Sequence, residues 1–285
     1  MLQRLRDLLE TIKFEHTVFA LPFAVLALFL AADGRPSVRL LSWVLVAMVG
    51  ARSSAMMMNR IADRRHDADN PRTAQRHLPA GRVGLRAAWS FTLIAAALFV
   101  CAAWQLNALA FALSPVALAV IWSYSWTKRF TWASHLWLGS ALALAPLGAW
   151  IAVRGRLDGL PLLMGAGVLL WVAGFDTIYA CQDMEFDRRR GLQSLPARFG
   201  VRSALRLARL FHLGMLAVFA SLGWAYGFGW LYALGLALVA LLVVAQHSLV
   251  NVRDLSHIDV AFFNVNSIVG VLLLAFALAD RFLLG

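Results

Sequence analysis

Asp63 and Asp67 in NRIADRRHD, and Asp183 and Asp187 in DMEFD, are two carboxylate pairs of identical spacing in a chain with only 15 acidic residues. On a helix, groups four residues apart project from one face about one turn from each other. Carboxylates that close repel unless a cation sits between them. Asn59 extends the first set to 59, 63, 67, and Tyr179 the second to 179, 183, 187, because each four-residue step turns only about 40° around a helix. Each trio is therefore expected to form one narrow polar stripe. Hard oxygen donors of this kind suit Mg²⁺ better than zinc or copper, and Mg²⁺ completes its octahedron with water and phosphate. Arg72, Arg76 and Lys128 stand in the neighbouring connectors. Guanidinium groups bind phosphate oxygens bidentately and an ammonium adds a mobile point charge. Together these residues would cradle a metal-bound diphosphate.

The elements that must position them are membrane helices. The chain has 285 residues, 61% of them hydrophobic and 14% charged, with a mean hydropathy of +0.71, values outside the range of a soluble domain of this length. Apolar runs long enough to cross a hydrocarbon core alternate with short polar connectors. We read nine spans, at 16–33, 40–58, 85–105, 107–126, 131–153, 160–182, 204–225, 229–250 and 258–281. The expected fold is one all-α domain over 1–285, a polytopic bundle with a central cavity open near the cytoplasmic side. The net charge of +11 invites a nucleic-acid reading. Its distribution argues instead for topology: with the N-terminus inside, inner segments hold 20 of the 26 Lys and Arg and outer segments 5, while Arg52 falls within the second span. Both acidic stripes then face the cytoplasm of a bacterial inner membrane. Residues 1–15 place Leu2, Leu5, Leu8, Leu9 and Ile12 at helical spacing, as in an amphipathic helix lying on the inner leaflet. Cys101 and Cys181 lack metal-binding spacing and read as buried small hydrophobes.

The first acidic set ends in the basic segment PRTAQRHLPAG and the second in RRRGLQSLPARFG. Asp63 to Asp183 and Asp67 to Asp187 are both 120 residues apart. This internal repeat predicts that the two sets converge on one cavity, with cytoplasmic cap loops at 60–84 and 188–203 as lids. A bland alternative is that the aspartates only pair with loop arginines, which explains single acids but not a repeated spacing joined to similar loops. Asp176, deeper in span six, must offset a burial cost of about 3 kcal/mol. It serves either a functional cavity or a hydrogen bond to Tyr124 or another span. The CDP-alcohol phosphotransferases also handle diphosphate esters with aspartates in membrane helices, but their DG…AR arrangement is absent. A transporter would continue its polar residues across the membrane, whereas these crowd at one end.

NRIADRRHD, PRTAQRHLPAG, YSWTKRF and YACQDMEFDRRRGLQSLPARFG, in that order over about residues 12–200, resemble the UbiA superfamily of intramembrane aromatic prenyltransferases. KFEHTVFALPFA and AGFDTIYACQD look like the 4-hydroxybenzoate polyprenyltransferase-like branch, which includes members of the futalosine route to menaquinone. The resemblance implies nine transmembrane helices, two Mg²⁺ ions, a polyprenyl diphosphate donor and an aromatic acid acceptor, 4-hydroxybenzoate or 1,4-dihydroxy-6-naphthoate. Carried over by position, Asn59, Asp63 and Asp67 match the first acidic motif and Asp183 with Asp187 the second, as metal ligands. Arg72, Arg76 and Lys128 match diphosphate-gripping positions, and Tyr124 and Tyr179 match aromatic positions near the reacting carbon. Position 179 is Tyr where some relatives carry a further acid, which leaves the second motif with two carboxylates. Asp183 and Asp176 are candidates for the final proton transfer. An acceptor carboxylate would need a cation, for which Arg52, Lys13 or His16 is available in sequence.

Overall fold

The computed structural model describes Leu8, Glu10–Ile12 and residues 19–284, and every regular element within them is helical. Eight helices are long and apolar enough to cross a membrane. In chain order the α-helices are α1 (Leu21–Ala31), α2 (Val38–Asp69), α3 (Leu85–Leu106), α4 (Ala108–Thr127), α5 (Ser134–Arg154), α6 (Gly159–Ala180), α7 (Met184–Arg189), α8 (Leu195–Ala225), α9 (Trp230–Ser248) and α10 (Val265–Ala279). A 3₁₀ turn, Cys181–Asp183, joins α6 to α7, and π-helical turns flank α10. The predicted span 16–33 is represented by the eleven residues of α1. The other eight predicted spans each find their helix.

The connectors are shorter than the sequence pattern suggested. Helix α2 runs to Asp69, ten residues into the expected loop at 60–84, because its arginines and alanine are good helix formers and Pro71 is the first residue that forbids continuation. The expected loop at 188–203 is interrupted by the start of α8. Ser194 caps that helix and Pro196 occupies its second position, a pairing suited to a helix start. Gly200, at φ 79° and ψ 160°, then breaks α8 into a short entry and a long span.

Contacts divide the chain into two units. In the first, which contains Val38–Trp126, α2 and α3 approach so closely at Gly50 that a Cβ there would meet the Ala95 carbonyl oxygen and the Phe99 nitrogen, both at 2.9 Å. Small residues are the usual means of bringing membrane helices this near. The Trp122 indole donates to Ser54 Oγ at 2.9 Å, and Ser54 donates in turn to the Thr92 carbonyl at 3.1 Å, joining α4, α2 and α3 through polar groups that lipid would not satisfy. Of the predicted N-terminal amphipathic helix, only Leu8 and Glu10–Ile12 fall within the described residues. There Ile12 is buried with Met57, Leu78, Val83 and Ala88, and Leu8 packs against them, so these two apolar side chains cover protein.

In the second unit, Val18–Ser37 with Thr127–Gly285, an aromatic cluster fills the space among α1, α6, α8 and α10. Trp171 lies edge-on to Phe175 at 5.0 Å and contacts Phe23 at 5.2 Å, and each such pair adds about 0.5–1.5 kcal/mol beyond its area burial. The Trp171 indole finds Asn266 Oδ1 at 2.9 Å, so this polar edge is not stranded. Outer faces are apolar, with Leu93 and Ile94 on α3 and Leu241 and Val244 on α9 exposed, as lipid contact requires. Cys101 belongs to such a face and is exposed rather than buried, since much of α3 faces outward; Cys181 is buried. Trp224 and Trp230 are exposed at helix ends, and indoles favour the membrane interface.

Buried Asp280 ties the end of the chain to α9. Its carboxylate accepts N–H groups from Gly229 at 2.6 Å, Leu231 at 3.1 Å and Tyr232 at 3.2 Å, three of the four donors that a helix start leaves without partners. Asp280→Ala should lower stability by roughly 2 kcal/mol, the cost of leaving such groups unpaired, read as a reduced thermal midpoint in detergent. An unchanged midpoint would show that the clamp contributes nothing.

Candidate active site

The first acidic set forms as the spacing predicts. Asn59, Asp63 and Asp67 follow one face of the unbroken helix α2, with both aspartates buried. Asn59 Nδ2 donates to Asp63 Oδ2 at 3.0 Å. Arg76 Nη1 bonds both oxygens of Asp67, at 2.8 and 2.9 Å. Asp67 also draws Arg60, whose Nη1 is 3.9 Å from Oδ2 and whose Nε donates to the Thr11 carbonyl at 3.4 Å. Arg60 is buried, and the sequence reading passed it over because it sits among other arginines in NRIADRRHD. The turn after α2 is locally built: Thr73 Oγ1 donates to the Asp67 carbonyl at 3.0 Å, and the Arg72 N–H to Asn70 Oδ1 at 3.0 Å. Arg72 is exposed there, and Arg76 is half-buried. Arg52, also half-buried, precedes Asn59 by seven residues, which places it on the same stripe roughly 10 Å further along α2. Tyr124, on the last turn of α4 in the same unit, is half-buried. Lys13 and His16 lie outside the described residues.

The second set departs from a simple stripe. Tyr179 is on α6, Asp183 ends the 3₁₀ turn, and Asp187 lies on α7, so the three do not share one regular helix. Two side chains bond carbonyls of the last α6 turn: Cys181 Sγ donates to Thr177 at 3.4 Å and Gln182 Nε2 to Tyr179 at 3.0 Å. The tighter winding of a 3₁₀ turn then rotates Asp183 relative to the α-helical four-residue step. Asp187 is buried and accepts from Ser194 Oγ at 2.8 Å. The backbone closes the same turn, with Leu192 N–H on the Asp187 carbonyl at 2.8 Å and Gln193 N–H on the Lys128 carbonyl at 2.6 Å. Lys128 therefore sits on a connector fastened to the segment that supports Asp187. Tyr179 packs its ring on Phe262, centroids 4.3 Å apart.

Asp176 finds its partner on another span. Its Oδ2 lies 2.6 Å from His135 Nδ1 on α5, so the partner is on another span. Neither His135 nor Ser194 was singled out from sequence. Ser194 followed by Pro196 is a legible helix-start signal. No pattern announces His135, whose partner is 41 residues away.

Chemically, the first unit offers Asp63 beside an amide and Asp67 beside an arginine, and the second offers Asp187 beside a hydroxyl and Asp176 beside an imidazole. Among the described residues no three His, Cys, Asp or Glu side chains gather as a metal cage. The donor set fits a hard cation that takes one or two carboxylates from protein and its other ligands from water and substrate phosphate. A soft-metal site it does not fit.

The sequence pattern of the UbiA prenyltransferase family matches residues 20–268. The chain belongs to this family. The chain is 32% identical over 257 residues to the 4-hydroxybenzoate octaprenyltransferase of Salmonella paratyphi B, covering 89% of this chain and 87% of that enzyme. A UbiA homolog from Aeropyrum pernix K1, solved in its apo form, is 36% identical and superposes with a TM-score of 0.85 over 93% of this chain and 98% of its own. A UbiA homolog from Archaeoglobus fulgidus, solved with DMAPP and Mg²⁺, shares the fold at a TM-score of 0.72 and 19% identity, covering 96% of this chain and 99% of that one. UbiA membership and the eight long apolar helices make this chain an integral membrane prenyltransferase.

Ser194 gives the site a direct test, because one hydroxyl caps α8 and holds Asp187. Ser194→Ala should cost about 1 kcal/mol of stability for the cap. It should also slow prenyl transfer roughly ten- to hundredfold, the usual effect of removing a group that orients a ligand. Ser194→Thr should recover most of both, and full turnover in Ser194→Ala would show that Asp187 needs no such support.

Proposed function

We propose that this chain transfers a polyprenyl group from polyprenyl diphosphate to an aromatic acid, 4-hydroxybenzoate or 1,4-dihydroxy-6-naphthoate, in the biosynthesis of ubiquinone or menaquinone. The observation that carries the reading is the first acidic set: two buried carboxylates one turn apart on α2, with an amide on one and an arginine on the other. Buried like charges at that spacing are retained only where a cation serves them, and a prenyl diphosphate is an anion that needs one. Likeness over most of the chain to an enzyme named for 4-hydroxybenzoate supports the acceptor class.

In this reading Asn59, Asp63 and Asp67 hold one Mg²⁺, and Asp183 with Asp187 a second. Bound there, the ions would offset negative charge on the diphosphate leaving group. Arg76 would move from Asp67 to a phosphate oxygen, and Arg72 and Lys128 would add charge as the allylic C–O bond breaks, electrostatic support of several kcal/mol. The faces of Tyr124 and Tyr179 would stabilise the allylic cation, and an apolar surrounding would keep water from it. The electron-rich ring of the acceptor attacks that carbon, forming the C–C bond, and the displaced ring proton passes to Asp176 or Asp183. Arg52, on the stripe beyond Asn59, is the cation assigned to the acceptor carboxylate. The N-terminus and the acidic sets would lie on the cytoplasmic side of a bacterial inner membrane, following the distribution of Lys and Arg.

Membranes containing the protein, given a polyprenyl diphosphate, Mg²⁺ and each aromatic acid, should form a prenylated product that EDTA abolishes. Asp63→Ala and Asp183→Ala should each reduce turnover by at least about a thousandfold while the protein remains inserted. Absence of product with every phenolic or naphthoic acceptor would refute the reading, and activity retained in either variant would refute its metal assignment.

A further inference from the structure

The first turn of α8 accounts for its own donors in an unusual way. Four N–H groups at a helix start have no partner within the helix. Leu195, at the first position, donates to His135 Nε2 at 3.3 Å; Pro196 has no N–H to give; Ala197 donates to Ser194 Oγ at 3.3 Å. The imidazole that receives Leu195 is the one that meets Asp176. Because Nε2 accepts a backbone N–H, the ring proton belongs on Nδ1, where it is donated to Asp176 Oδ2 at 2.6 Å. His135 is itself buried, and the Asp176 side chain stays 24% exposed. One oxygen is thus fixed by the ring, and the carboxylate is still reachable.

We propose that His135 is a positioning residue for the transfer reaction, clamping Asp176 on α6 to the Ser194–Leu195 turn of α8 and, through Ser194, to Asp187. This inference rests on the reading above in its Asp176 form, in which that carboxylate rather than Asp183 receives the ring proton. Two acidic groups that would act at different stages, one holding the leaving group and one receiving the ring proton, are joined by three hydrogen bonds and the Ser194–Leu195 peptide link: Asp176 to His135, His135 to the Leu195 N–H, Ser194 Oγ to Asp187. A side chain that only anchored α8 would need its Nε2 contact alone. The short bond to a partly accessible carboxylate is what a positioning role requires in addition.

The two ring contacts can be separated. Asn at 135 places an amide donor near the Nδ1 position and nothing at Nε2, whereas Gln reaches the Nε2 position and offers Leu195 an acceptor. His135→Ala should lower kcat roughly ten- to hundredfold, with KM for the diphosphate donor changed less than about threefold. His135→Asn should recover most of kcat and His135→Gln should not, although Gln should restore hydrogen-exchange protection at the Leu195 amide that Ala loses. The double variant His135→Ala/Asp176→Ala should be no slower than Asp176→Ala alone, since both changes remove one unit of function. Activity that follows thermal stability across the series, rescue by Gln rather than Asn, or additive losses in the double variant would each overturn the positioning role. Unchanged exchange at Leu195 in His135→Ala would overturn the clamp. A wild-type protein that forms no product would refute the functional reading separately, because the exchange measurement does not depend on turnover.

Discussion

A carboxylate inside an apolar membrane must be given a partner or lose its charge, and that constraint organises the polar part of this protein. Every buried aspartate described above has a named donor. Asp63 has Asn59, Asp67 has Arg76 and Arg60, Asp187 has Ser194, and Asp280 has the first amides of α9. Breaking a buried pair costs more than making it contributes, so each acid holds its neighbour in place as firmly as the neighbour holds it. The partners differ with the task. Asp280 is satisfied by three backbone donors, whereas Asp63, Asp67 and Asp187 are met by side chains.

That difference separates structural from chemical polarity in the same fold. Trp122, Ser54 and Thr92 form a closed ladder within one unit, and Trp171 with Asn266 forms another in the second. These groups bind helix to helix where lipid has no hydrogen bonds to give. The acidic motifs instead sit toward helix ends, where connectors bring arginine, lysine and serine close.

Much of this was legible in the chain before its structure, and the exceptions share a cause. Long apolar runs mark spans because length and hydropathy are summed over about twenty residues, which tolerates error at any one. The stripe at 59, 63, 67 was legible because α2 is continuous. The stripe at 179, 183, 187 was less so, since the 3₁₀ turn depends on where Cys181 and Gln182 send their hydrogen bonds. Connector lengths were overestimated wherever charge was taken as a sign of loop, although the arginines in NRIADRRHD are also good helix formers. His135 was invisible because its meaning lies in contacts 41 and 60 residues away. Periodicity reveals what a residue shares with its own helix, not what it meets on another.

The Asp280 clamp also bears on how the chain is made. Ribosomes deliver residues in order, and the amides of α9's first turn emerge some fifty positions before the carboxylate that will receive them. Until Asp280 has emerged, that turn must rely on water or lipid headgroups at the interface. The pairing of α9 with the end of α10 therefore waits on Asp280, and a message cut short before codon 280 would yield a protein in which α9 begins unsealed.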